Sequence, residues 1–261
     1  MSFFYGLTDW NGLGQYHFIG MDNFKTLIKQ GTLFTSLKNT VIYAIFVVAW
    51  GNIQSLILAL ILNMKLKAKG VFRTIFYIPA LFSTIVVAFL WSYVYAPYFG
   101  LIYDILSRFG IGQNLNLLGT PATALIAVAF VETWKSSGTM TIIYLAGLQD
   151  IPEEVIESAR IDGASAWQSI WRVKIPMLAN TITINIMLGL INGFKSFDYV
   201  FALTGGGPGS SSSTLMYSIY KMAFVEGQFG KAEALAACAF VFILAISVIA
   251  LKFMRKREIE A

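Results

Sequence analysis

The chain is 261 residues long, 57% hydrophobic and only 13% charged, with a mean hydropathy of +0.67. A soluble domain carries about 25% charged residues, so a soluble globule is excluded. The net charge of +5 and pI near 9.2 would suit a nucleic-acid binder, but the basic residues cluster by loop, and no nucleic-acid partner is expected. One cysteine, Cys238, and one histidine, His17, exclude an intrachain disulfide and offer no metal or nucleophile constellation.

Residues 1–38 read as a segment outside the membrane, with His17 solvated. Met1–Gly14 lacks the basic and apolar regions of an export signal. Its Ser2–Leu7 patch, with Phe3, Phe4 and Tyr5, looks like the outer end of a helix whose beginning is absent. Five apolar runs follow, roughly Asn39–Met64, Thr74–Tyr95, Pro121–Gly147, Met177–Leu203 and Ala232–Met254. Each is long enough to cross a bilayer, which takes about 20 residues. The fold class is therefore all-α, a polytopic membrane helix bundle. Trp91, Tyr93, Tyr95 and Tyr98 fit an interfacial aromatic belt, and Cys238 fits a small packing residue in the last span.

Two runs carry charge. Glu132 and Lys135 lie mid-span, three apart and so on one face, where each costs about 2.5–3.5 kcal/mol on insertion scales. They should face the bundle interior or water. Lys195 and Asp198 repeat the spacing nearer the other end of their span, and each pair is open to a self-neutralising structural reading. Thr133, Trp134, Ser136, Ser137 and Thr139 add hydroxyls and a ring beside Glu132. In Met177–Leu203, Thr181, Asn185, Gly189, Asn192, Gly193 and Ser196 form one polar, small-residue stripe. It suits a lined pathway, close helix packing, or both. The run Gly205–Thr214 is no phosphate loop, because the GxxxxGK[ST] pattern is missing. It reads as a flexible external loop leading into an amphipathic helix, Leu215–Val225.

Topology follows from lysine and arginine. Eleven lie in one set of connections (Lys65, Lys67, Lys69, Arg73; Arg160, Arg172, Lys174; Lys252, Arg255, Lys256, Arg257) and six in the opposite set. The positive-inside bias places the 150–176 loop and the C-terminus in the cytoplasm. Five spans then leave residues 1–38 outside, and a further transmembrane helix is expected upstream of them.

That loop is polar and helix-forming in an otherwise apolar chain. Asp150 can cap a first helix, Pro152 suits its first turn, and Glu153 and Glu154 complement its positive end. Gly163 can end it in a left-handed conformation. Ser165 with Gln168 forms a capping box for a second helix, which is expected to stop before Pro176. Val155, Ile156, Ala159, Trp167 and Trp171 give the pair apolar faces. Periodicity alone leaves docking to a partner and lying on lipid headgroups equally open.

The run Glu157-Ser158-Ala159, Asp162-Gly163-Ala164 and Ile175-Pro176 resembles the EAA loop of membrane subunits of ATP-binding-cassette importers, with Ser158 where that family usually has alanine. Ile78–Pro97, Leu125–Pro152 and Phe194–Phe224, including LTGGGP, resemble the carbohydrate-uptake branch. The resemblance implies a type I permease fold, with residues 39–261 as its transmembrane domain and five visible helices of an expected six. It implies that Glu157, Ala159, Asp162, Gly163, Ala164 and Pro176 couple the chain to a cytosolic ATPase. It also implies that Glu132, Lys135, Ser136, Thr139, Asn192 and Ser196 line the substrate pathway. The implied partners are a second permease, two ATP-binding subunits, an extracytoplasmic sugar-binding protein and membrane lipid, in a bacterial or archaeal cell membrane. No cofactor belongs to this chain; ATP with magnesium is bound by the ATPase subunits. A secondary transporter using Glu132 or Asp198 as an ion relay is the alternative. It leaves the loop unexplained, and the chain shows no inverted repeat.

Overall fold

Backbone amides inside hydrocarbon have no water to bond, so apolar runs must close their own hydrogen bonds as helices. The computed structural model describes residues 2–64, 69–111 and 115–259, with side chains described except at 2, 69 and 253–259. Two members of the larger basic set, Lys65 and Lys67, lie outside the described residues. Among the described residues there is no strand; a lone β-bridge joins Thr8 to Phe18.

The N-terminal segment holds α1 (Ser2–Tyr5) and α2 (Asp22–Lys29), and Gly31, at φ +73°, turns the chain into α3 (Thr32–Asn63). The first long helix thus starts at Thr32 rather than Asn39. The expected span Thr74–Tyr95 is two helices, α4 (Lys69–Leu81) and α5 (Thr84–Val94), bent by 101°. Pro79 removes a helical donor, and the Ser83 hydroxyl accepts the Val86 N–H to cap the new helix. After α6 (Leu101–Ser107) comes α7 (Ala124–Gln149), 26 residues and about 39 Å long.

The 150–176 region folds as α8 (Glu153–Ile161), α9 (Ala166–Ser169), a π-helical turn (Ile170–Lys174) and α10 (Ile175–Met177). It then runs into α11 (Ala179–Phe194) at a 71° bend. Next come α12 (Asp198–Leu203), α13 (Leu215–Tyr220), a second π-helical turn (Lys221–Val225) and α14 (Phe229–Ile259). By length and composition, α3 and the Phe229–Lys252 part of α14 can each cross a bilayer unaided. The α4–α5 pair and the α9–α11 pair are each apolar enough to cross only if the two bent halves act as one span, and α7 is long enough but more polar.

α3 and α7 pack along each other, and α11 packs along α3. Tyr43, Val47, Val128, Val131 and Val200 form the core at one end, and Ala59, Leu62, Tyr144, Leu148 and Leu178 at the other. Leu27, Leu215 and Leu235 bind α2, α13 and α14 together. The small residues of α11 set its approach to α3: a Cβ on Gly193 would lie 2.6 Å from Ala44 Cα, and one on Gly189 3.1 Å from Val48 Cγ2. Close packing is therefore what these two glycines provide. Gly193→Val is expected to destabilise the protein by about 1–3 kcal/mol through overpacking. Thermal unfolding in detergent checks this, with Gly189→Ala expected to do less.

Candidate functional site

A helix broken inside a membrane must re-satisfy the carbonyls and amides it frees. Between α11 and α12 the chain leaves helical geometry at 195–197, and the freed Ser196 carbonyl accepts the Thr214 hydroxyl at 2.6 Å. Beside this break a cavity of about 200 Å³ opens, lined by Thr84, Glu132, Lys135, Ser136, Asn192 and residues 195–199. Five of the six expected pathway residues meet here: Glu132, Lys135 and Ser136 from α7, with Asn192 and Ser196 from the α11 end. Thr139, about one turn further along α7, is exposed and outside the lining.

Neither i, i+3 pair closes on itself, so the self-neutralising reading fails for both. Among the described residues, no carboxylate–ammonium approach within 4.0 Å joins Glu132 to Lys135 or Lys195 to Asp198. Glu132, 7% exposed, accepts the hydroxyl of the fully buried Tyr43 at 2.6 Å instead. Lys195 and Asp198 do not share a helical face, because α11 ends before one and α12 begins at the other. Asp198 there complements the positive end of α12. Ser196 is buried, and its hydroxyl has no hydrogen-bond partner among the described residues, an unmet donor and acceptor beside the cavity.

The lining thus balances two carboxylates against two ammonium groups and adds four hydroxyls, an amide and the rings of Phe197 and Tyr199. Such a wall alternates donors and acceptors without excess charge, the chemistry a neutral polyhydroxylated molecule needs. The stripe expected on Met177–Leu203 divides. Asn185 is buried and donates to the Met140 carbonyl at 3.2 Å, so with the glycines it packs, while Asn192 and Ser196 face the cavity.

Other expectations need correction. Trp91 and Tyr95 are buried, the Tyr95 hydroxyl donating to the Ala127 carbonyl at 3.1 Å. Only Tyr93 and Tyr98 stay exposed as belt residues. The Gly205–Thr214 loop is held down rather than free. The Ser212 and Ser213 hydroxyls turn inward to the Gly207 and Gly206 carbonyls, and the Asn39 amide on α3 donates to the Ser210 and Ser213 carbonyls at 2.9 and 3.0 Å. His17 lies 3.1 Å from Asp9, whose carboxylate also accepts the His17 backbone N–H at 2.6 Å. That backbone bond holds the Asp9 carboxyl below its usual range.

In the 150–176 segment, Asp150 ends α7, and Pro152 stands at the start of α8 without a side-chain cap. Gly163, at φ +81°, closes α8 in a Schellman motif: its N–H reaches the Arg160 carbonyl at 3.0 Å, and the Ala164 N–H the Ala159 carbonyl at 2.9 Å. Ser165 and Gln168 form the reciprocal capping box of α9. The helix does not stop before Pro176. The π-helical turn at Ile170–Lys174 widens the ladder just ahead of it, and Pro176 sits in the first turn of α10, where its missing N–H is tolerated.

Ile156 seats α8 against the core around Tyr144, Leu148 and Leu178. Glu153, Glu154, Glu157, Ser158 and Ile161 point outward, Ile161 being 85% exposed. The six residues expected to couple lie on this segment: Glu157 and Asp162 exposed, Ala159 and Ala164 half-buried in the motif, Gly163 at the turn, and Pro176 exposed on α10. Sequence reasoning missed Tyr43, Thr84, Phe197 and Tyr199. Three aromatic positions and one threonine, ordinary within their own runs, they gain a role only through what faces them.

A family model described as binding-protein-dependent transport system inner membrane component matches residues 51–256. The multiple sugar-binding transport system permease protein MsmF of Streptococcus mutans is 35% identical over 261 residues, covering 98% of this chain and 88% of that protein. The trehalose/maltose transport system permease protein MalF of Thermococcus litoralis is 35% identical over 244 residues, covering 92% and 81%. Among solved structures, a bacterial alginate ABC transporter in complex with an alginate pentasaccharide-bound periplasmic protein superposes with a TM-score of 0.81 at 27% identity. It covers 91% of this chain and 83% of that one.

Proposed function

The chain belongs to the family of binding-protein-dependent transport system inner membrane components, and from that premise we propose that it is the permease subunit of an ATP-driven importer of sugars. In this reading the cavity of Glu132, Lys135, Ser136, Asn192 and Ser196 is the part of the pathway that meets substrate, and Thr139 continues it along α7. The 150–176 segment and the C-terminus face the cytoplasm. The permease hydrolyses nothing itself: the chain carries no GxxxxGK[ST] pattern, and ATP with magnesium would be held by two ATP-binding subunits. A second permease would complete the pathway, and an extracytoplasmic binding protein would deliver the sugar.

The observation that carries this reading is the two-sided α8. Ile156 fastens it to the helix bundle, while an acidic face of Glu153, Glu154 and Glu157 stands free beside a tightly closed turn. A helix that is anchored on one side and unpartnered on the other is suited to pass motion from a docked subunit to the bundle. Uptake of radiolabelled maltose, trehalose and a mixed oligosaccharide pool into vesicles holding the whole importer tests it. Transport should require ATP and persist without sodium or proton gradients. Uptake that follows an ion gradient and ignores ATP would sink the proposal.

A further inference from the structure

At the other end of α3 a larger cavity, about 720 Å³, lies between the last turns of that helix and the α8–α10 segment. This is well within the size range of ligand pockets. Its walls are apolar, from Ile57 and Ile61 on α3 to Ile170 and the ring of Trp167. Among the described residues its only charged lining side chains are Arg160 and Lys174, and none of them is a carboxylate. Neither cation comes within 4.0 Å of a carboxylate among the described residues. The slot follows α3 from Ile57 to Met64, about 10 Å of helix axis and about the depth from headgroup to upper acyl chain.

An apolar slot flanked by two unneutralised cations matches an amphiphile with hydrocarbon below and a negative group above. A neutral sugar would find few partners on these walls, and a soluble anion would leave the apolar surface wet. We propose that the cavity binds an anionic phospholipid of the inner leaflet, with its phosphate on Arg160 and Lys174 and an acyl chain along α3 beside Trp167. The leaflet rests on the orientation given under Proposed function. Arg160 lies four residues from Ile156 and three from Glu157, at the border between the packed and the acidic sides of α8. The lipid therefore sits beside the coupling segment, against Ala164 at its closing turn, and away from Glu154 and Ser158.

The test uses the importer in nanodiscs of phosphatidylcholine containing increasing fractions of phosphatidylglycerol with brominated chains. The difference between the native protein and Trp167→Phe isolates the fluorescence of Trp167. That component should be quenched at a low fraction of brominated phosphatidylglycerol and far less by the same fraction of brominated phosphatidylcholine. Arg160→Gln with Lys174→Gln should raise the half-quenching fraction roughly tenfold, while Arg108→Gln leaves it unchanged. Equal quenching by both lipids would show ordinary bilayer contact and overturn the proposal. Absence of quenching by either lipid would show that protein fills the slot, and would overturn it too. Orientation is read separately, by labelling Ser165→Cys in a Cys238→Ala background with an impermeant maleimide. Labelling only from the outside would overturn the orientation, and with it the leaflet, without touching the quenching result.

Discussion

Gly163→Val is expected to abolish ATP-driven uptake, a loss of at least tenfold, while the chain still inserts and still pairs with its partners. The residue sits at φ +81° and closes α8 with two backbone bonds. A left-handed conformation costs an L-residue about 1–2 kcal/mol, and a β-branched one more. Relieving that strain opens the Schellman motif and lets α8 swing about the half-buried Ile156. Gly163→Asn, which tolerates the left-handed region, should keep most of the uptake. Glu157→Gln should lose uptake with the fold intact, because it changes only the exposed acidic face. Uptake, ATPase rate and protease resistance measured in the same vesicles separate these effects. If valine at this position transports like glycine, the segment is not the coupling element.

Removing the Glu132 carboxylate should be nearly as severe. Glu132→Leu deletes the buried acceptor of the Tyr43 hydroxyl and one of the two negative groups of the cavity. Uptake should fall more than tenfold, with ATPase coupling still assembled. Tyr43→Phe leaves the carboxylate without its donor, and hydrogen bonds to charged groups contribute about 1.5–3 kcal/mol. A double-mutant cycle of thermal stabilities over Tyr43→Phe and Glu132→Leu should return a coupling in that range. A coupling near zero would mean that the 2.6 Å contact contributes nothing. Ser196→Ala, by contrast, removes a hydroxyl with no partner inside the protein. It should change substrate affinity and leave stability nearly untouched.

Most of the architecture was legible because membrane helices announce themselves by length and apolarity, and capping by short local patterns. Ser165 with Gln168, and Gly163, are of this kind: one residue's chemistry dictates its neighbour's geometry. The bends were less visible. Pro79 and Ser83 carry the signal for the α4–α5 break, but apolarity runs unbroken across it. The break at 195–197 has no proline, and the hydroxyl that secures it, on Thr214, lies beyond the next helix. Cavity residues on α7 and α11 could be picked out because polar groups in hydrocarbon need a reason. Tyr43 could not, since its partner lies 89 residues away in sequence. The i, i+3 ion pairs failed for the same reason: helical spacing says who may meet, and a third residue or a helix end decides otherwise.

The π-helical turn at Ile170–Lys174 makes α9 and α10 one continuous helix past a proline, joined to α11 at the buried Leu178. Between Ser165 and Phe194 the polypeptide is therefore two stiff levers and a single elbow. The second lever, 16 residues and about 24 Å long, ends at Asn192 and the broken carbonyl of Ser196. Rotation of the first lever by a few degrees would move the cavity wall by an ångström or more, with one joint at which motion can be lost. In the coupling role proposed above, such a chain would need no relay of side chains between Ser165 and the cavity wall; the backbone itself would be the transmission shaft.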